Sequence, residues 1–124
     1  MKKIKIKVNN HQLNGVLHDT PAGKKIWNSL PISSRGNIWG DEIYFSINAD
    51  VKLNNAQEVV NEGDLAYWPP GSAFCIFYGP TPVSVQDEVR PASSVEVFGK
   101  VTDDFNVLKK IKRSPNVVIE RAES

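Results

Sequence analysis

Residues 63–79, GDLAYWPPGSAFCIFYG, contain five aromatic side chains and decide how the chain folds. Two short apolar segments, 65–68 and 74–78, lie on either side of a Pro69-Pro70-Gly71 turn. This pattern predicts two β-strands joined by a tight connection. The Gly-x5-Pro-x-Gly spacing within the stretch also opens the second motif of cupins, so a metal-binding barrel is one hypothesis to test.

The composition of the 124-residue chain limits its size and its partners. Its 40% hydrophobic content supplies one core, so residues 1–124 are predicted to form a single domain. The net charge of +1 provides no bulk field for nucleic acid or an anionic membrane. No apolar run reaches the roughly 20 residues of a membrane span. A single cysteine is typical of a reducing compartment, so a cytoplasmic location is expected.

Alternation of polar and apolar residues predicts a mainly β protein. Residues 49–62 and 79–92 are polar or rich in proline, and both segments are expected to be loops. Besides the two aromatic strands, further strands are expected over residues 3–8, 11–18, 42–47, 95–101 and 117–119.

Two short helices are expected between the strands. Thr20 followed by Pro21 is typical of a helix N-terminus, and Leu30 before Pro31 is typical of a helix end. Thr102 is expected to cap the second helix, which has acidic residues in its first turn and lysines near its end.

Neither the cupin spacing nor the single cysteine predicts a chemical centre. A cupin requires histidines after the Pro-x-Gly turn, and no histidine follows His18. His11 and His18 are expected on opposite faces, so no metal site and no cofactor are predicted. Cys75 lies between Phe74 and Ile76 in an apolar strand and is interpreted as a buried, unreactive thiol.

Glu42 is the candidate for acid–base chemistry. The alternation in residues 42–47 assigns Ile43, Phe45 and Ile47 to the core and places Glu42 beside Tyr44 on the opposite, groove-facing side. Desolvation by aromatic neighbours would raise the pKa of this carboxyl and make Glu42 a usable acid or base. The alternative is an exposed carboxylate at the strand end, paired with an arginine such as Arg35 or Arg90.

Four segments of the chain resemble a known family. They read HDTPAGKKIWNSL, WGDEIYFSI, GDLAYWPPGSAFCIFYGPTP and VEVFGKVTDDFNVLKKIK. Over residues 13–112 the chain resembles the small prokaryotic cyclophilin-like proteins, which diverge from true cyclophilins. The most specific matches are GDEIYF at 40–45 and GDxxYWP at 63–69. The resemblance implies a closed eight-stranded cyclophilin-like β-barrel with two short helices, one over each end.

The catalytic set of true cyclophilins is nearly absent. Those enzymes isomerise X-Pro bonds with an arginine in a Phe-His-Arg strand, a glutamine before Gly-Gly, and a tryptophan and a histidine ahead of Phe-Gly-Lys-Val. This sequence lacks the first two motifs, and Arg90 and Val95 stand where the tryptophan and the histidine are expected. Prolyl isomerisation therefore stays an alternative, in which Arg90 would donate to the prolyl nitrogen and aromatic side chains would hold the ring.

The preferred interpretation is a binding module with an aromatic groove for a small molecule or a proline-containing peptide. Two alternatives stay open: an enzyme that uses Glu42 or isomerises prolines, and exposed aromatics that form a contact between copies of the chain. All of these assignments depend on strand register, because a shift of one residue inverts every face. The expected lining is Trp39, Glu42, Tyr44, Trp68, Phe77 and Tyr78, with Arg90 in the adjoining loop.

Overall fold

The structure is a computed structural model and describes residues 1–122 of the chain. Nine antiparallel strands form one sheet in the order β3-β9-β1-β2-β8-β6-β7-β5-β4, which nearly closes into a barrel. The prediction of a mainly β barrel is confirmed. The strands are β1 (Lys2–Val8), β2 (His11–Leu17), β3 (Ile32–Arg35), β4 (Asn37–Ile38), β5 (Glu42–Ser46), β6 (Asp64–Trp68), β7 (Ala73–Phe77), β8 (Glu96–Val101) and β9 (Asn116–Arg121).

The two ends of the sheet are joined by the chain itself. β3 and β4 are the terminal strands of the sheet, and only Gly36 separates them. The Gly36 amide donates to the Pro115 carbonyl at 2.8 Å. A Cβ atom at this position would lie 2.9 Å from Cγ2 of Ile43, so the bend has no room for a side chain. The structure has nine strands where eight were expected, and the count becomes eight when β3 and β4 are taken as one bent strand.

One α-helix, α1 (Pro21–Ser29), packs against the barrel and begins where the sequence predicts. The Thr20 hydroxyl accepts a hydrogen bond from the Gly23 amide at 3.1 Å, and Leu30 is the C-cap. Two 3₁₀-helices follow, over Pro69–Gly71 and Asn106–Lys110. None of the helices in residues 1–122 has the length and apolar character needed to cross a membrane.

The second predicted helix differs from expectation at its start. It is a single 3₁₀ segment that begins after Phe105, and Thr102 does not cap it. The Thr102 amide instead donates to the Asn14 carbonyl at 2.9 Å. The Asp103 carboxylate accepts from the Asn14 amide at 2.7 Å. These contacts hold residues 102 and 103 beside β2, so the chain turns into the helix later than its local sequence suggests.

β7 is buried on both faces. Its inward residues Phe74 and Ile76 lie in the main core, where the Phe74 ring stacks on Phe45 with centroids 5.1 Å apart and meets Phe98 edge-on at 5.0 Å. Its outward residues belong to a second apolar cluster that the long loops cover. The members of this outer cluster are Val60, Ala66, Ala73, Cys75, Phe77, Val89 and Val95, with Tyr44, Trp68 and Val97 packed against them.

The register of β5 agrees with the predicted alternation. Ile43 and Phe45 are 0% and 1% exposed and lie in the main core. Tyr44 packs against the outer cluster on the opposite face of the sheet. Ile47, which was assigned to the core, is half-buried and packs at the edge of the core. The predicted burial of Cys75 is confirmed, because this free thiol lies in the outer cluster.

Phe74→Ala is expected to lower the free energy of unfolding by about 3–5 kcal/mol, because it removes a ring packed between two others and leaves a cavity. Urea denaturation measures the change. Val85→Ala is the control, since Val85 is 63% exposed and its truncation should alter stability by less than about 0.5 kcal/mol. Equal losses for the two variants would contradict the assignment of Phe74 to the centre of the core.

Candidate functional site

A cavity of about 290 Å³ opens on the outer face of the sheet. This volume is at the small end of the range for ligand pockets. The cavity brings together four of the predicted site residues and adds three residues that the sequence did not indicate. Its lining consists of Trp39, Glu42, Tyr44 and Trp68, which were predicted, and Pro91, Ala92 and Val95, which were not.

A tight turn between β4 and β5 positions Trp39 and Glu42. The Trp39 amide donates to the Glu42 carbonyl at 2.9 Å, which brackets a two-residue turn. Gly40 takes φ +60° there, and a Cβ atom on it would lie 2.9 Å from Cα of Thr81. The turn therefore requires glycine both for its backbone conformation and for its close approach to the neighbouring loop. The Asp41 amide fixes the turn further by donating to the Pro80 carbonyl at 3.0 Å.

The Glu42 carboxyl lies in an apolar environment. The residue is 5% exposed, and it pairs across the sheet with Phe77 of β7. Burial raises the pKa of Glu42 to about 7, and the adjacent Cys75 thiol lowers it slightly. Within residues 1–122, no nitrogen of a Lys, Arg or His side chain lies within 4.0 Å of this carboxyl. Glu42 is thus a buried acid without an ionic partner in the described part of the chain.

The arginines considered as partners for an exposed Glu42 bind elsewhere. The Arg35 Nε atom donates to the Ser114 hydroxyl at 3.4 Å, and the Arg90 guanidinium pairs with Glu88. The interpretation of Glu42 as an exposed, arginine-paired carboxylate is therefore wrong, because β5 carries this side chain into the buried edge of the outer cluster rather than into solvent.

The carboxyl of Glu42 also affects the two ionisable groups closest to it. The pKa of the Cys75 thiol is well above its usual value because of burial and the neighbouring Glu42 carboxylate. Burial together with the negative charges of Asp41 and Glu42 raises the pKa of Tyr78 to about 12. Both groups keep their protons at neutral pH, so Glu42 is the group of this cluster that titrates near pH 7.

Trp68 holds the loop that forms the far wall of the cavity. Its indole Nε1–H donates to the Ser93 hydroxyl at 2.7 Å. Its ring covers Gly71, where a Cβ atom would lie 2.9 Å from the ring. Because Pro91 and Ala92 precede Ser93 directly, the indole hydrogen bond fixes the part of the loop that lines the cavity.

The end of the same loop, at Val95 and Glu96, is held by hydrogen bonds to residues 54–57. Val95 and Gln57 exchange two backbone hydrogen bonds, of 2.9 and 3.0 Å. The buried Glu96 carboxylate accepts from the Asn54 and Asn55 amides, both at 2.8 Å. Glu96 is a second buried acid that the sequence analysis missed, and its role is to hold the loop over residues 49–62. No local pattern indicates this, since the partners are about 40 residues away in sequence.

Three predicted lining residues lie outside the cavity. Phe77 is 0% exposed within the outer cluster, and Tyr78 is 1% exposed and belongs to the main core. Arg90 borders a neighbouring cavity of about 350 Å³ formed by the loops around Glu58 and Ser94. The two cavities share Pro91 and Ala92 as a common wall.

The arrangement offers a limited set of chemical groups. The cavity can stack an apolar or aromatic body against its indole and phenol rings, and its one carboxyl can exchange a proton near neutral pH. Among residues 1–122, no three His, Cys, Asp or Glu side chains are grouped as ligands for a metal ion.

The raised pKa of Glu42 makes stability depend on pH. The folded protein holds this proton up to about pH 7, whereas the ordinary value is 4.5. The stabilising contribution is therefore complete below pH 4.5 and is lost as pH rises through 7. Relative to the wild type, Glu42→Gln should gain about 2–3 kcal/mol of unfolding free energy between pH 5 and pH 8. Denaturant titrations at the two pH values measure this gain.

Glu62→Gln is the matched control, because Glu62 is exposed. Its stability difference from the wild type should stay constant between the same two pH values. A constant difference for Glu42→Gln as well would show that the Glu42 carboxyl is hydrated in the folded protein.

Comparisons with known proteins agree with this architecture. A family model described as cyclophilin-like matches residues 2–120. The chain is also similar to a hypothetical protein from Archaeoglobus fulgidus whose solution structure has been determined. The two share 39% sequence identity with a TM-score of 0.82, and the alignment covers 98% of this chain and 95% of that one. No match was found among curated proteins. Since the family model spans nearly the whole chain, the protein belongs to the cyclophilin-like family.

Proposed function

We propose that this cyclophilin-like barrel is a binding module whose outer-face cavity holds a small organic molecule. The observation that carries the proposal is the buried carboxyl of Glu42, which has no ionic partner among residues 1–122 and lies in a cavity walled by Trp39, Tyr44 and Trp68. Ligand pockets combine a mostly apolar lining with a few fixed polar groups that orient the ligand. If this part of the sheet served only to pack the protein, an apolar side chain at position 42 would be sufficient, and no carboxyl would be needed at the wall of the cavity.

The rigidity of the walls supports binding. The turn at Gly40 fixes Trp39, and the hydrogen bond from Trp68 to Ser93 fixes the opposite loop. A cavity whose side chains are already ordered loses less conformational entropy when a ligand enters. The volume of about 290 Å³ favours a small molecule, or one side chain of a peptide, over an extended peptide segment.

A second candidate function is acid–base catalysis by Glu42. Its pKa of about 7 is close to the value at which a side chain both donates and accepts protons efficiently at neutral pH. Prolyl isomerisation has less support, because Arg90 borders the neighbouring cavity and is paired with Glu88 instead of facing the aromatic walls.

The binding proposal is tested by NMR titration of ¹⁵N-labelled protein with a library of small aromatic and aliphatic molecules and a set of X-Pro peptides. Amide and indole shifts should cluster at the turn around Gly40, at Trp68 and at residues 91–95. Trp68→Ala should weaken binding about thirtyfold, which corresponds to the roughly 2 kcal/mol of an aromatic anchor.

Trp27→Ala is the matched control, since Trp27 lies on α1 against Lys2 and Arg121 and takes no part in the cavity. Its affinity for any ligand found should equal that of the wild type. Shifts confined to other surfaces, or equal losses in both tryptophan variants, would contradict the proposal. Faster cis–trans exchange of the peptides would instead identify an isomerase, and turnover that Glu42→Gln abolishes would identify an acid–base enzyme.

A further inference from the structure

The ionisable lining of the cavity is acidic. Among residues 1–122, Glu42 is the only acidic residue of the lining, and no basic side chain is part of it. Arg90, which lies next to the lining residue Pro91 in sequence, borders the other cavity and is paired with Glu88. The Glu42 carboxylate would therefore attract a positively charged ligand in the cavity, and no basic side chain of the described lining would compete with it.

The aromatic walls of the cavity also favour a positively charged ligand. The faces of indole and phenol rings carry partial negative charge, and they attract ammonium groups most strongly when water is excluded. Trp39, Tyr44 and Trp68 line the same cavity as the carboxyl of Glu42, so aromatic rings and a carboxylate can act together on a cation bound there. Sites that recognise alkylated ammonium ions are built from this combination of groups.

We infer that the cavity recognises an organic ammonium ion carried on a short apolar chain, with the cation against Glu42 and the chain against the aromatic walls. This inference rests on the proposed binding function and names its ligand class. A neutral ligand would leave Glu42 protonated and would gain nothing from its charge, whereas an anionic ligand would be repelled by the carboxylate. The apolar part of the lining accounts for the hydrocarbon body of the ligand.

Proton release from Glu42 should accompany binding. Cys75 of β7 is the ionisable group that acts on Glu42, and Glu42 in turn raises the pKa values of Cys75 and Tyr78. Cys75 and Tyr78 stay protonated at neutral pH because their pKa values are raised. Since the pKa of Glu42 is about 7, the binding-competent carboxylate becomes scarce below that pH. Affinity for the cation should therefore fall about tenfold per pH unit below 7.

Choline and 3,3-dimethyl-1-butanol are the probes that separate charge from shape, because the alcohol replaces the quaternary nitrogen with carbon. Calorimetry and NMR titration at pH 8 should show choline binding at least tenfold more tightly than the alcohol. The advantage should decrease at pH 6 and disappear in Glu42→Gln. Glu58→Gln is the control, since Glu58 borders only the neighbouring cavity, and it should keep the affinity of the wild type.

Blocked trimethyllysine, acetylated and amidated at its ends, identifies the source of the ammonium group. Tighter binding than choline would assign the cation to a peptide side chain, and weaker binding would assign it to a free small molecule. Both results support recognition of an ammonium ion.

Equal affinity for choline and the alcohol, or unchanged choline affinity in Glu42→Gln, would overturn the inference while leaving the proposed binding function in place. Binding of other library molecules in the cavity without any binding of choline or trimethyllysine would have the same meaning. If no molecule of the library perturbs the cavity, both the inference and the proposed function fail.

Discussion

Burial of β7 on both faces is the constraint on which the rest of the structure depends. All five of its residues are buried, so the strand has no solvent face and reads as a continuous apolar run. Phe74 and Ile76 fill the barrel, while Cys75 and Phe77 form a second apolar layer outside it. That outer layer must be covered, and the loops around Val60 and Val89 cover it. The cavity lies at the margin of this cover, where the aromatic side chains are only partly enclosed.

The properties of Glu42 follow from this arrangement rather than from its own neighbours in sequence. The residue stands opposite Phe77 in the register of β5 and β7, so its carboxyl borders the dry outer layer. An acid at the same position on an uncovered sheet would be hydrated and would keep its usual pKa. The elevated pKa of Glu42 is therefore a consequence of burial beside β7, because Glu42 pairs across the sheet with the buried Phe77.

Local sequence patterns predicted seven of the nine strands and the faces of β5, because alternation and turn residues act over a few positions, but they did not indicate β3 or β4. They could not show whether the outer face of a strand is open or covered. Phe77 was predicted as lining for this reason, although contacts from distant segments bury it in the outer cluster. Tyr78, which follows β7, instead belongs to the main core. Ser93 and Glu96 were missed since their partners lie 25 and about 40 residues away. The prediction that Thr102 caps a helix was wrong for a similar reason, because the Thr102 amide donates to the Asn14 carbonyl of β2.

The bend at Gly36 has a consequence for how the protein behaves among its own copies. Open sheets expose rows of unpaired amides and carbonyls, which can recruit a strand from another molecule and start aggregation. Here the terminal strands β3 and β4 are four and two residues long, and one continuous segment of chain supplies both. So short and sharply bent a margin is a poor template for intermolecular strand pairing. The glycine that turns the chain thus also protects a mostly β protein from assembling edge to edge in a concentrated solution.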